Sequence, residues 1–133
     1  MTKRIVLTDA APRPIGPYSQ AVVAGDLVFC AGQIGLDPAT GKLVGGGLAA
    51  EASRAIENLA AVLAAEGLGL GDVVKTTVYV VDLGEGPALN EVYGRYFGAP
   101  HPARATVEVS ALPAGARVEI DAVAVRGAAL SRP

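Results

Sequence analysis

The stretch Pro102-Ala103-Arg104-Ala105-Thr106-Val107-Glu108-Val109-Ser110 changes character at every residue. Ala103, Ala105, Val107 and Val109 fall on one side of an extended chain. Arg104, Thr106, Glu108 and Ser110 fall on the other. Period-two alternation, opened by Pro102 and closed by Leu112-Pro113, predicts a strand. Its apolar side is expected to join a core. Its polar side carries a guanidinium at the strand entrance, with a hydroxyl two residues on. An arginine held on a strand suits a job that needs fixed geometry, such as forking both oxygens of a carboxylate. The alternative for Arg104 is a surface ion pair with Glu108 or another acid.

On the C-terminal side, Pro113-Ala114-Gly115-Ala116 predicts a turn and Arg117 to Val125 a last strand. Val118, Ile120, Ala122 and Ala124 share one side of it; Glu119, Asp121, Val123 and Val125 share the other. The second side passes from acidic to apolar along its length, as a subunit contact does. If these two strands form a simple hairpin, a register that places Thr106 opposite Glu119 puts Arg104 opposite Asp121, an arrangement of opposite charges that a ladder favours.

On the N-terminal side, the loop Gly98 to Pro102 follows a helix opened by Pro87 and ending near Phe97. Leu89, Val92, Tyr93, Tyr96 and Phe97 make its apolar face, Asn90 sits near its start, and Glu91 and Arg95 are an outward i,i+4 pair. Before it, Val73 to Val81 is a β-branched strand with neither side reliably polar, so its C-terminal half is expected to be covered on both faces. Leu48 to Glu66 is a longer helix. Ala52, Ala55, Ile56, Leu59, Val62 and Leu63 make its buried face, Glu51, Arg54 and Asn58 are assigned to the outer one, and Gly67 stops it. Gly25-Asp26 predicts a hairpin between 21–24 and 27–33, and Arg4 to Leu7 a first short strand. Between them, Asp9 to Pro17 is a proline-rich loop. The order of elements implies an α+β fold, a mixed six-stranded sheet with both helices on one face. Residues 1–126 are expected to form one domain and 127–133 a loose tail.

Composition narrows the function classes. Of 133 residues, 51% are hydrophobic and only 18% charged, a lean polar coat that hints at apolar surface covered by another subunit. The net charge is -2 and the pI about 5.3. The basic residues are scattered, which argues against binding nucleic acid through phosphate neutralisation. No run reaches a membrane span, and the apolar segment after Lys3 and Arg4 is too short for a signal peptide, so a cytoplasmic address is expected. The single cysteine, Cys30, lies in an apolar run and reads as a buried thiol. His101, the only histidine, is flanked by prolines, which disfavours a Ser-His-Asp triad or a metal cage. Glu119 and Asp121 remain as a carboxylate pair on one strand side. An arginine clamp with an acid nearby suits a small anionic substrate attacked by water.

Seven segments together resemble the RidA (YjgF/YER057c/UK114) family. They are Ile15-Gly16-Pro17-Tyr18-Ser19-Gln20-Ala21, Ala31-Gly32-Gln33-Ile34, the Asp37-Pro38…Thr40-Gly41 turn, Asp72 to Val80, Asn90-Glu91-Val92-Tyr93, Pro102 to Val109 and Val118 to Val125. The resemblance runs in register from about Asp9 to Arg126. It implies a chorismate-mutase-like fold, a homotrimer with clefts between subunits, and a last strand lying between other strands. It implies hydrolysis of reactive 2-imino acids or enamines, such as 2-iminobutanoate and 2-iminopropanoate, to 2-keto acids and ammonia. No cofactor and no metal would be needed, and the substrates would come from pyridoxal-phosphate dehydratases, making the role one of detoxification in amino-acid metabolism. By the same resemblance, Arg104 binds the substrate carboxylate and Glu119 positions or activates water. Tyr18 lines the pocket, Asn90 forms a polar wall and Thr106 contributes mainly backbone groups. Three departures stand out: Ala31 where many members have serine, Thr106 where many bacterial members have cysteine, and a short loop from Gly98 to His101. Two other readings stay open: an endoribonuclease or translation inhibitor, and a non-catalytic binding or chaperone-like module.

Overall fold

A computed structural model describes residues 2–127. The tail expected to be loose lies, from residue 128 on, outside the described residues. The strands are β1 (Lys3–Val6), β2 (Ala21–Ala24), β3 (Leu27–Gln33), β4 (Val73–Val80), β5 (Ala103–Glu108) and β6 (Val118–Val125). The helices are α1 (Gly47–Ala64) and α2 (Gly86–Tyr96). The elements fall where the sequence pattern predicts them, with ends shifted by a residue or two. The six strands make one mixed sheet in the order β1-β2-β3-β6-β4-β5, and both helices pack on the same face.

Tight turns and apolar periodicity build these elements. Gly25 adopts a left-handed φ of 61°, closing the β2–β3 hairpin with Ala24 opposite Leu27. In α1, Ala52, Ala55, Ile56, Leu59, Val62 and Leu63 are all sealed from solvent against the sheet. Each large aliphatic among them contributes about 1.5–3 kcal/mol by leaving water. Val118, Ile120, Ala122 and Ala124 of β6 present the matching surface.

Three expectations need correction. The β5–β6 hairpin does not form. β5 pairs parallel with β4, placing Thr106 beside Val78 and Arg104 beside Thr76, while β6 runs antiparallel between β3 and β4. The β4–α2–β5 crossover returns the chain in the same direction and so demands a parallel partner. That leaves the inner place to β6, whose alternate residues are almost fully apolar. Second, the alanine–valine side of β5 does not join the core. Ala103, Ala105 and Val107 face the sheet surface away from the helices and are exposed, Val107 by 42%. Third, Glu51 and Asn58 are not on the outer face of α1 but buried. Glu51 Oε1 accepts a hydrogen bond from the Arg117 backbone N–H at 2.8 Å. Asn58 Nδ2 donates to the carbonyls of Ile34 and Leu36 at 3.2 and 2.9 Å. Both satisfy backbone groups of turns that no ladder reaches, so the helix pins the loop after β3 and the entry to β6. Gly35 fits this contact because a Cβ there would lie 2.7 Å from Glu51 Cα.

The face of the sheet away from the helices is open. Ile5, Leu27, Phe29 and Val107 each expose between 38% and 61% of their surface on it. The expected cover for the second face of β4 is therefore not supplied by the protomer itself.

Candidate active site in two halves

The sequence-designated residues separate into two groups on opposite faces of the sheet. Arg104 stands beside Thr76, whose side chain is buried under α2. The guanidinium therefore lies on the helix face, at the outer strand. There it borders a cavity of about 360 Å³ lined by Asn90, Tyr93, Gly94, His101, Pro102 and Arg104. Thr106 follows on the same side of β5. Its Oγ1 is buried and has no hydrogen-bond partner among the described residues.

Glu119 points to the open face, since its neighbours Val118 and Ile120 are the ones turned to the core. β6 and β5 are two places apart in the sheet, roughly 9.5 Å by ordinary strand spacing. Glu119 borders a second cavity, of about 220 Å³, with Tyr18, Gly32, Gln33, Ala31 and a proline–aliphatic wall that includes Ile15 and Pro113. Tyr18 comes from the proline-rich loop, where its hydroxyl accepts the Ile15 backbone N–H at 3.1 Å and keeps its own proton to donate. Gln20, buried, staples that loop: its Oε1 accepts from the Thr8 backbone N–H at 2.7 Å, and its Nε2 donates to the carbonyls of Thr8 and Pro12 at 3.0 and 2.9 Å. Arg13 also borders this cavity but is paired with Asp9 at 2.7 Å.

Burial holds the Glu119 carboxyl above the usual glutamate range, and the charge of Asp121 adds to the rise. Asp121 itself accepts from the Thr77 backbone N–H at 3.0 Å and from the Tyr79 hydroxyl at 3.3 Å. Burial, helped by Asp121, pushes the Cys30 thiol up to about 12, so it has no thiolate to offer as a nucleophile. His101 does not approach Glu119; its Nδ1 is hydrogen-bonded to the Phe97 carbonyl at 3.0 Å.

Sequence reasoning assigned no part to Gly32, yet Glu119 depends on it for space. A Cβ at Gly32 would lie 2.0 Å from Glu119 Oε2 and 2.8 Å from its carboxyl carbon. The signal available was a glycine inside a strand, which marks close approach by another group. Gly32→Ala is expected to swing the carboxyl out of its seat. Any activity that uses Glu119 should fall roughly tenfold or more, with little change in melting temperature because the displaced group can move into the cavity. Normal activity in that variant would remove the need for this seat.

The fold is that of a small α+β protein with cavities bordered by the candidate polar residues on both faces of one sheet. A family model described as Endoribonuclease L-PSP matches residues 8–126. The chain is 56% identical over 127 residues to protein DfrA of Myxococcus xanthus, covering 94% of this chain and 97% of that one. It is 46% identical over 127 residues to human 2-iminobutanoate/2-iminopropanoate deaminase, covering 96% and 93%. The crystal structure of RidA from an Antarctic Psychrobacter superposes with a TM-score of 0.89 at 43% identity, over 92% of this chain and 98% of that one. The chain belongs to the Endoribonuclease L-PSP family, also called the YjgF/RidA family. Among the described residues, no helix is long and apolar enough to cross a membrane.

Proposed function

We propose that this protein hydrolyses 2-imino acids, or their enamine tautomers, to 2-keto acids and ammonia in clefts completed by a neighbouring copy of the chain. The observation that carries this reading is the division of the site. Arg104 with Asn90 and Thr106 supplies a cation for a carboxylate but, among the described residues lining its cavity, has no acid to activate water. Glu119 with Tyr18 supplies an acid and a hydroxyl, and Arg13, the one arginine among the described residues lining that cavity, is already paired with Asp9. The open, apolar face of the sheet provides the means of bringing the halves together. Three copies in a closed ring, each laying its β5 edge by the Glu119 cavity of the next, cover that face and make three equivalent clefts. The deaminase relatives support the substrate class.

The chemistry asked of the protein is modest. A protonated imine is already electrophilic at carbon. The Arg104 guanidinium forks the substrate carboxylate, a charge-assisted bond of ~1.5–3 kcal/mol, and so fixes the imine carbon over Glu119. The Glu119 carboxylate takes a proton from water as the water oxygen bonds to that carbon. The resulting carbinolamine receives the proton on nitrogen. The C–N bond then breaks as the carbinolamine hydroxyl returns its proton to the Glu119 carboxylate, leaving the keto acid and ammonia. A carboxyl raised toward neutrality exchanges protons in both directions more readily than an ordinary glutamate. Asn90 and Tyr18 hold the polar ends of the substrate. No step calls for a cofactor.

The direct experiment couples threonine dehydratase and threonine to this protein and follows 2-ketobutyrate. Faster keto-acid formation than the spontaneous rate is expected; identical rates with and without the protein would refute the reading. RNA cleavage that survives Arg104→Ala, with no imine hydrolysis, would favour an endoribonuclease instead.

The acidic limb of the pH–rate profile is a further test. Glu119 works as a base only when ionised, so activity should fall as pH drops through its raised pKa. Asp121→Asn removes a like charge; its Oδ1 still accepts the Thr77 N–H, while its amide nitrogen takes the place of Oδ2 and donates to the Tyr79 oxygen. The Glu119 pKa should then fall, and the limb should move to lower pH. A limb that stays in place or moves upward would show that another group controls it.

A further inference from the structure

We propose that Tyr93 is a positioning residue whose ring is the platform that orients the Arg104 guanidinium for its ligand. This inference rests on the reading that Arg104 receives a carboxylate. Arg104 Cζ lies 4.8 Å from the centroid of the Tyr93 ring. Among the described residues Arg104 has no ion pair and no side-chain hydrogen bond. A long side chain at an exposed edge would otherwise sample many rotamers.

The ring beneath it is fixed from three sides. Its hydroxyl shares a 2.7 Å hydrogen bond with Thr76 Oγ1, which is fully buried. Phe97 stacks on it with centroids 4.5 Å apart and planes 30° from parallel. Tyr93 itself is only 5% exposed. Thr76 is also the register partner of Arg104 across β4 and β5. One short sheet segment therefore sets the ring and the cation together.

The choice of an aromatic face over an acid has a chemical reason. A carboxylate partner would orient Arg104 equally well but would occupy its N–H fork and cancel its charge. The π face attracts the cation while leaving every N–H donor free for an incoming carboxylate. The site thus holds its cation ready without competing with the substrate.

The test separates ring electrostatics from packing. Tyr93→Phe keeps the face and loses the Thr76 bond. Pentafluorophenylalanine at position 93 loses the same bond and keeps the ring stacked, but reverses the charge distribution of its face. The Phe variant is expected to stay within a few-fold of the parent. The fluorinated protein should show KM for 2-iminobutanoate, and Kd for 2-ketobutyrate, raised a further roughly tenfold with a smaller change in kcat. Equal constants in these two proteins, with Arg104→Ala inactive, would overturn the platform and leave the functional reading intact. If Arg104→Ala is fully active, the carboxylate-binding role of Arg104 fails, and the Arg104 Nε–H resonance decides alone. Its ring-current shift should persist in Tyr93→Phe and vanish in Tyr93→Leu. A resonance unmoved in Tyr93→Leu would overturn the platform.

Discussion

Replacing Arg104 by alanine is expected to lower kcat/KM for 2-iminobutanoate hydrolysis by at least about a hundredfold while leaving the protein folded. The loss follows from orientation. An imine that is not anchored by its carboxylate tumbles over the water and its base, and small misplacements of reacting atoms carry losses of this size. Folding should survive because Arg104 sits on an exposed edge strand and forms no ion pair among the described residues. Arg104→Lys should recover only part of the activity, since an ammonium cannot fork two oxygens. The measurements are steady-state rates beside thermal melting and sedimentation. Unchanged rates in a folded Arg104→Ala protein would end the site assignment.

The second large effect concerns Glu119, and it also tests where the cleft lies. Glu119→Gln should bind keto-acid product yet turn over about a hundredfold or more slowly, the usual loss for a general base. A mixture of inactive Arg104→Ala and inactive Glu119→Gln chains, unfolded and refolded together, should regain activity. In the proposed rings, mixed at random, each cleft would draw one half from each of two chains, so roughly one-quarter of the clefts would be wholly native. The proposed shared cleft predicts this result, because Arg104 and Glu119 lie on opposite faces of a single sheet. A co-assembled mixture as inactive as its parents would sink the shared cleft, with tagged chains proving that exchange had occurred.

Local signals were reliable where one side of an element had a clear character. The stripe from Ala52 to Leu63 predicted α1, and the Gly25-Asp26 turn predicted the hairpin of β2 and β3. Polar residues misled where they serve the backbone. Glu51 and Asn58 look like solvent residues, yet each is buried by capping turns distant in sequence. The partners in those contacts, Arg117 and the 34–36 turn, are invisible to any window around α1. Gly32 and Tyr93 were visible as a strand glycine and a helix-face aromatic. Their bearing on Glu119 and Arg104 required coordinates.

The chain by itself determined its elements, their order and the residues that carry charge, because turn chemistry and periodicity act over a few residues. It also determined membership in its family, through motifs spread along nearly its whole length. Only the tertiary structure decided that β6 enters between β3 and β4 and that β5 is left at the edge. Alternation along a strand marks two sides but names neither the neighbouring strand nor the side that helices will cover. Alanines and valines, as on β5, suit a core and an open sheet equally well. That choice, made by long-range packing, put Arg104 and Glu119 on opposite faces.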